Sequence, residues 1–310
     1  MKPLKNIGDF SPTARKLWAM TNPCVLCPRK CRVKRSSGEI GPSTSLRTGF
    51  CGIGDMPVVS SVGPHFGEES VLVGRPFDYA QGKGGSGTIF FAGCNLGCVF
   101  CQNYDISHFR QGRKVTISEL ADFMLDLQDR GCSNINFVTP THQAAAIVAG
   151  IETARKRGLN LPTVYNSGGY DSVEALKLLD GYIDIYMPDM KFSGGAAAKE
   201  FANAPDYPEV NFAAVKEMHR QVGDLQIENG LAKRGLLVRH LVLPNKLAGS
   251  LKVIDFLAEH VSRNTAINVM NQYRPCFKAD EHPEINRRPT SEEVEDVRQY
   301  ALKKGLNVIA

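Results

Sequence analysis

Residues 88–101 read Thr88-Ile89-Phe90-Phe91-Ala92-Gly93-Cys94-Asn95-Leu96-Gly97-Cys98-Val99-Phe100-Cys101. A short β-branched and aromatic run, which reads as a buried strand, leads straight into three cysteines spaced C-x3-C-x2-C. No fourth cysteine follows at a matching interval. Thiolates are the usual ligands of iron–sulfur clusters, and four irons normally take four of them. Three thiols in one compact loop therefore predict a cubane with one iron left open to bind something else. The plainer accounts are a zinc knuckle short of a ligand, or small buried hydrophobes. Structural zinc wants a closed set of four, and free cysteines rarely crowd so tightly, so the cluster is the expected occupant.

Outward from this loop the chain alternates short apolar runs with amphipathic stretches. The runs fall at Thr88–Phe91, Ile135–Val138, Thr163–Tyr165, Ile183–Met187, Leu236–Leu243 and Ala266–Met270. Between them, Thr116 to Arg130 opens with the capping-box pair Thr116 and Glu119, carries Leu120, Phe123, Met124 and Leu127 at helical spacing, and closes at Gly131. Gln143–Arg157, Ser172–Leu179, Glu209–Val222 and Leu247–Glu259 continue the rhythm. Strands alternating with helices predict a parallel α/β sheet with right-handed crossovers, either a partial barrel or a doubly wound sheet. The pattern divides the chain into a cysteine-rich segment 1–87, a β/α core 88–274, and a tail 275–310 with a helix at Ser291–Lys303 and a last strand at Asn307–Ile309. Two stretches of the first segment, Gly41–Phe50 and Gly74–Gly87, fit no regular element, and the second reads as a loop.

Parallel barrels build their sites where strands end. The second run leads into Thr139-Pro140-Thr141-His142, the third ends at Asn166-Ser167-Gly168-Gly169, the fourth at Asp189-Met190-Lys191, and the sixth at Asn271-Gln272-Tyr273-Arg274. Turns are polar in any fold. That does not explain Arg239 and His240, which stand inside an apolar run and need a buried partner or a ligand.

The cysteine spacing and its apolar flanks resemble the signature of the radical S-adenosylmethionine (SAM) superfamily. The segments Gly93–Tyr104, Val138–Gln143, Tyr165–Gly169, Tyr186–Phe192 and Val269–Pro275 are similar to its pyruvate formate-lyase activating enzyme-like group, over most of residues 20–275. The resemblance implies a partial (β/α)6 barrel and a 4Fe-4S cluster on Cys94, Cys98 and Cys101. It further implies SAM on the open iron, and an electron that cleaves SAM to a 5′-deoxyadenosyl radical. It assigns Phe100 to the adenine, Asn166 and Ser167 to the ribose, and Asp189, Lys191 and His240 to holding SAM. It implies a one-electron donor such as flavodoxin or ferredoxin, and a backbone glycine of a partner enzyme as substrate. At one place the chain departs from the group: activating enzymes carry Gly-Gly-Glu after the second strand, where this chain has Thr139-Pro140-Thr141-His142. His142 either faces the cofactor or hydrogen-bonds within a turn.

A second cysteine group, Cys24, Cys27, Cys31 and Cys51, gives C-x2-C-x3-C and a distant fourth, a closed set suited to zinc or to a second, fully ligated cluster. Cys132 and Cys276 stand alone and read as packing residues. Between Arg29 and Arg35 five of seven residues are basic; without interleaved aromatics this reads as charge balance or a solvated stretch rather than a nucleic-acid surface. The net charge of +5 is mild. No apolar run approaches the roughly 20 residues that span a bilayer, and the first ten residues lack a signal-peptide core, so a cytoplasmic protein is expected. The functional expectation is a radical SAM enzyme, activating-enzyme-like. Its rivals are a radical SAM enzyme for another peptide, a metabolite or RNA, and a non-catalytic iron–sulfur or zinc electron-transfer protein.

Overall fold

The computed structural model describes residues 10–35, 49–74 and 84–309. Residues 41–48 and 75–83, the bulk of the two irregular stretches, lie outside them. Among the described residues ten strands form one sheet in the order β10-β9-β8-β6-β5-β4-β2-β1-β3, with β7 (Gln226–Glu228) paired to β8. Strands β2 (Ser86–Phe91), β4 (Ile135–Val138), β5 (Thr163–Ser167), β6 (Ile185–Pro188), β8 (Leu231–Leu241) and β9 (Ala266–Met270) are the six expected runs, all parallel. β10 (Asn307–Ile309) adds a seventh parallel strand beside β9. Among the described residues the sheet does not close: β10 is one edge and β3 (Arg113–Lys114) the other. This is an open, TIM-like partial barrel.

The helices follow in chain order: α1 Pro12–Ala19, α2 Ser70–Val73, α3 Tyr104–Ser107, α4 Ile117–Asp129, α5 Ala144–Lys156, α6 Val173–Leu178, α7 Gly195–Ala202, α8 Tyr207–Val222, α9 Ser250–His260 and α10 Ser291–Lys303. The predicted capping box is present, with Thr116 Oγ1 accepting from Glu119 N and Glu119 Oε2 accepting from Thr116 N. Strand alternation sorts the side chains onto two faces. Ile89, Phe91, Phe137, Tyr165, Tyr186, Val238, Ile267 and Val269 pack outward into the main helix-covered core. Thr88, Asn136, Asn166, Asp189, Arg239 and Asn268 alternate with them and face the lumen.

Two features of the first 87 residues modify the expected division. β1 (Val58–His65) pairs antiparallel with β2, and β2 itself begins at Ser86, so the 87/88 boundary falls inside a strand. Ala14, Leu17, Cys24 and Leu26 belong to the main core. The short helix α2 enters the lumen, where Leu72 is buried among Val164, Ile185, Met187, Leu237 and Ala266. Asn134 Nδ2 donates to the Leu72 carbonyl, holding it there.

Candidate functional site

The cysteine loop leaves β2 and is fixed by its backbone. Gly93 N donates to Ile106 O, Gly97 N to Ala202 O and Val99 N to Phe201 O. Gly93 has φ +79, and a Cβ there would lie 2.6 Å from the Cys51 carbonyl, so the position requires glycine. Leu96 N donates to Cys94 Sγ at 3.3 Å, and Cys101 Sγ lies 3.1 Å from Ser107 Oγ. Burial, with the mutual influence of the neighbouring thiols, pushes Cys94 and Cys98 up to about 12 as free thiols, against the pull of Lys191. No three thiols among the described residues lie within 4.8 Å of one another. A single zinc ion, with bonds of about 2.3 Å, would draw its sulfurs to within about 4 Å. A cubane presents each thiolate with its own iron and so keeps them farther apart. The loop therefore fits a three-thiol cluster.

Cys98 and Cys101 open onto a cavity of about 190 Å³ that Phe100, Asp189, Lys191, Arg239, Gln272 and Tyr273 also line. Phe100 is held edge-on by Tyr273 and Phe192, with centroids 5.7 and 6.2 Å away. Lys191 Nζ donates to Asp189 Oδ2 at 2.6 Å. Burial alone would lower the lysine, but Asp189 and the Cys98 thiol hold it above the usual ammonium range, so it stays a cation facing the thiols. Asn166 faces the lumen with Oδ1 3.4 Å from Arg239 NH1.

Other expected residues stand elsewhere. Ser167 is on the opposite face, donating to Asp171 Oδ2 at 2.7 Å. His240 is fully buried behind the sheet, bonded to the Met190 carbonyl at 2.6 Å and to Ser250 Oγ at 2.8 Å, and does not line the cavity. His142 hydrogen-bonds the Ala92 carbonyl at 2.8 Å beneath the cysteine loop, which decides between its two expected roles in favour of structure.

Arg239, flagged only as needing a partner, proves central. It faces the lumen, where Glu69 Oε1 and Oε2 accept from its Nε and NH2 at 2.7 and 3.0 Å and Glu68 Oε2 accepts from NH2 at 2.5 Å. These carboxylates line a second cavity of about 540 Å³ that shares Arg239, Met270 and Gln272 with the first. Glu68 and Glu69 carry no sequence signal, because only the entry of α2 into the lumen brings them there.

The N-terminal cysteines form a knuckle against the cysteine loop. Cys24 N donates to Val33 O and Arg32 N to Cys24 O, both at 2.8 Å, and Phe50 N donates to Cys31 Sγ at 3.4 Å. Cys24, Cys27 and Cys51 are buried. Arg29 and Arg35 of the basic run turn inward: Arg29 Nε donates to Asn95 O at 2.9 Å, and Arg35 NH1 to His142 O at 2.7 Å.

An open parallel barrel with a three-thiol loop at the end of its first parallel strand defines a class of iron–sulfur proteins. A model of the Radical SAM superfamily matches residues 88–222, and the chain belongs to that superfamily. Membership implies an enzyme with a 4Fe-4S cluster and SAM. An uncharacterised protein of Methanocaldococcus jannaschii, MJ0674, is 34% identical over 296 residues, covering 92% of this chain and 76% of the relative. A second from the same organism, MJ0808, is 24% identical over 307 residues, covering 92% and 79%. Among solved structures, the FeFe-hydrogenase maturase HydG from Carboxydothermus hydrogenoformans is similar with a TM-score of 0.49 and 12% identity over 71% of this chain and 51% of that one. Streptococcus suis SuiB, bound to precursor peptide SuiA, gives 0.49 and 12% over 70% and 46%. The chain spans about half the length of these structures. Among the described residues no helix is long and apolar enough to cross a membrane.

Proposed function

We propose that this protein cleaves SAM reductively and directs the product at a backbone glycine of a partner enzyme, with an electron from a flavodoxin- or ferredoxin-class donor. The observation that carries the first part is the Asp189–Lys191 pair opening into the same cavity as Cys98 and Cys101. When bound, the reduced cluster and SAM together supply C–S bond cleavage to methionine and a 5′-deoxyadenosyl radical. Lys191 offers its ammonium to the SAM carboxylate, and Asp189 holds that ammonium in place. Asn166 offers hydrogen bonds to hydroxyls from the lumen face, and Phe100 gives the adenine an aromatic edge. Ser167 and His240 act from behind the sheet, by fixing the turns that carry these groups.

The glycine substrate is supported by the resemblance to activating enzymes. A different peptide, metabolite or RNA is favoured by the departure at Thr139–His142: the lumen's carboxylates come from Glu68, Glu69 and Asp189 rather than from the turn after β4. The four N-terminal thiols belong to a second metal centre, and the protein works in the cytoplasm.

Anaerobically reconstituted protein with dithionite and SAM is expected to release methionine and 5′-deoxyadenosine, measured by chromatography. Cys98→Ala is expected to abolish both products and leave the N-terminal metal bound. Cleavage at the wild-type rate in that variant overturns the assignment.

A further inference from the structure

Arg35 is buried beside the N-terminal thiols. Its NH2 approaches Cys51 Sγ at 3.9 Å, and its Nε has no hydrogen-bond partner. Arginine keeps its charge in a protein, and a buried charge needs a compensating one. Neutral thiols do not supply that. A metal that holds the thiols as thiolates does supply it.

Arg29, of the same basic run, reaches toward the Cys94–Cys101 loop instead. The Arg29 guanidinium lies 3.9 Å from the Phe50 ring centroid, its NH2 is buried without a hydrogen-bond partner, and its Nε grips the cysteine loop at Asn95. The four cysteines act on one another: Cys51 and Cys24 on Cys27, and Cys24 and Cys31 on Cys51. Yet no three of their sulfurs come within 4.8 Å. Four zinc bonds of about 2.3 Å around one ion would gather the sulfurs within about 4 Å, and the sulfurs of Cys94, Cys98 and Cys101 are likewise not so gathered.

We propose that Cys24, Cys27, Cys31 and Cys51 ligate a fully coordinated 4Fe-4S cluster rather than zinc, with Arg35 as its neutralising cation. The proposal rests on the second metal centre named above and is independent of SAM cleavage. Four protein thiolates leave no iron open to SAM. The centre therefore takes up one electron from a low-potential donor and gives it back, with no bond made or broken. Its place is against the cysteine loop, where the Cys51 carbonyl packs on Gly93.

The test is metal and sulfide quantitation on anaerobically purified full-length protein, with electron paramagnetic resonance after dithionite. The expected result is about eight irons per chain and negligible zinc. Two reduced-cluster signals are expected, of which added SAM alters one. Replacing Cys94, Cys98 and Cys101 together by Ala is expected to leave about four irons and the SAM-insensitive signal. Arg35→Met is expected to weaken that signal or shift its midpoint potential while sparing the SAM-sensitive one. One zinc with about four irons in the wild type, or about four irons and no other metal, overturns the proposal. An unchanged midpoint and iron content in Arg35→Met overturns the role of the arginine. Eight irons with no SAM cleavage leaves the inference standing and sinks the SAM reading instead.

Discussion

His240 is fully buried, with Nδ1 donating to the Met190 carbonyl and Nε2 accepting from Ser250 Oγ, which fixes a neutral tautomer. Burial pushes it down to about 4, and the same cause pushes His142 down to about 3. A histidine whose folded value is depressed binds fewer protons folded than unfolded. The stability it contributes is complete above the unfolded value near 6.5 and is lost as pH falls from there towards 3–4. Going from pH 7 to pH 5 is therefore expected to cost about 2 kcal/mol per histidine. Anaerobic urea unfolding at both pH values measures it, and His240→Gln is expected to halve the difference; an equal difference in that variant refutes the argument. At this scale three residues that the resemblance implied, Asp189, Lys191 and Phe100, line one cavity with Cys98 and Cys101. His240 and Ser167 were misplaced because proximity in sequence hides the pleat. Arg239 and Asn166 face the lumen, so their neighbours one residue on face the helices.

Strand β2 and the loop after it show how an element depends on a contact outside itself. Gly93 sits at positive φ with the Cys51 carbonyl where a side chain would begin. Gly93→Ala is expected to destabilise the protein by about 2 kcal/mol or more, from backbone strain and the steric clash together. It should also lower iron at both thiol sets in anaerobic preparations, since the loop and the knuckle share that contact. Normal iron content and unfolding midpoint would count against this account. The six parallel strands and the α4 capping box were legible because period and caps are local signals. Helix α7, Gly195–Ala202, was not, since its eight residues, mostly Gly and Ala, carry only the short stripe Ala198, Phe201 and Ala202. Nor was α2, whose four residues are too few for any period and whose place is set by Leu72 filling the lumen.

Across the whole molecule the cysteine-rich segment and the barrel share one core. Leu17 and Leu26 are almost fully buried there, and α1 lies on α5, whose alanines permit the close approach. Burying each leucine is worth about 1.5–3 kcal/mol. A chain starting at Pro57 is thus expected to lose at least about 3 kcal/mol and to melt at least ~6 °C lower, by differential scanning calorimetry. An unchanged melting temperature would show the segment to be an independent appendage. The sequence division at 87/88 missed this unity because shared burial between distant segments leaves no mark on either.

The gap between β10 and β3 has a consequence of its own. A sealed cylinder admits only what can enter through its ends, whereas this wall is cupped like a palm. Among the described residues no strand pairing joins β10 to β3, so a polymer would not have to thread a free terminus to reach that side.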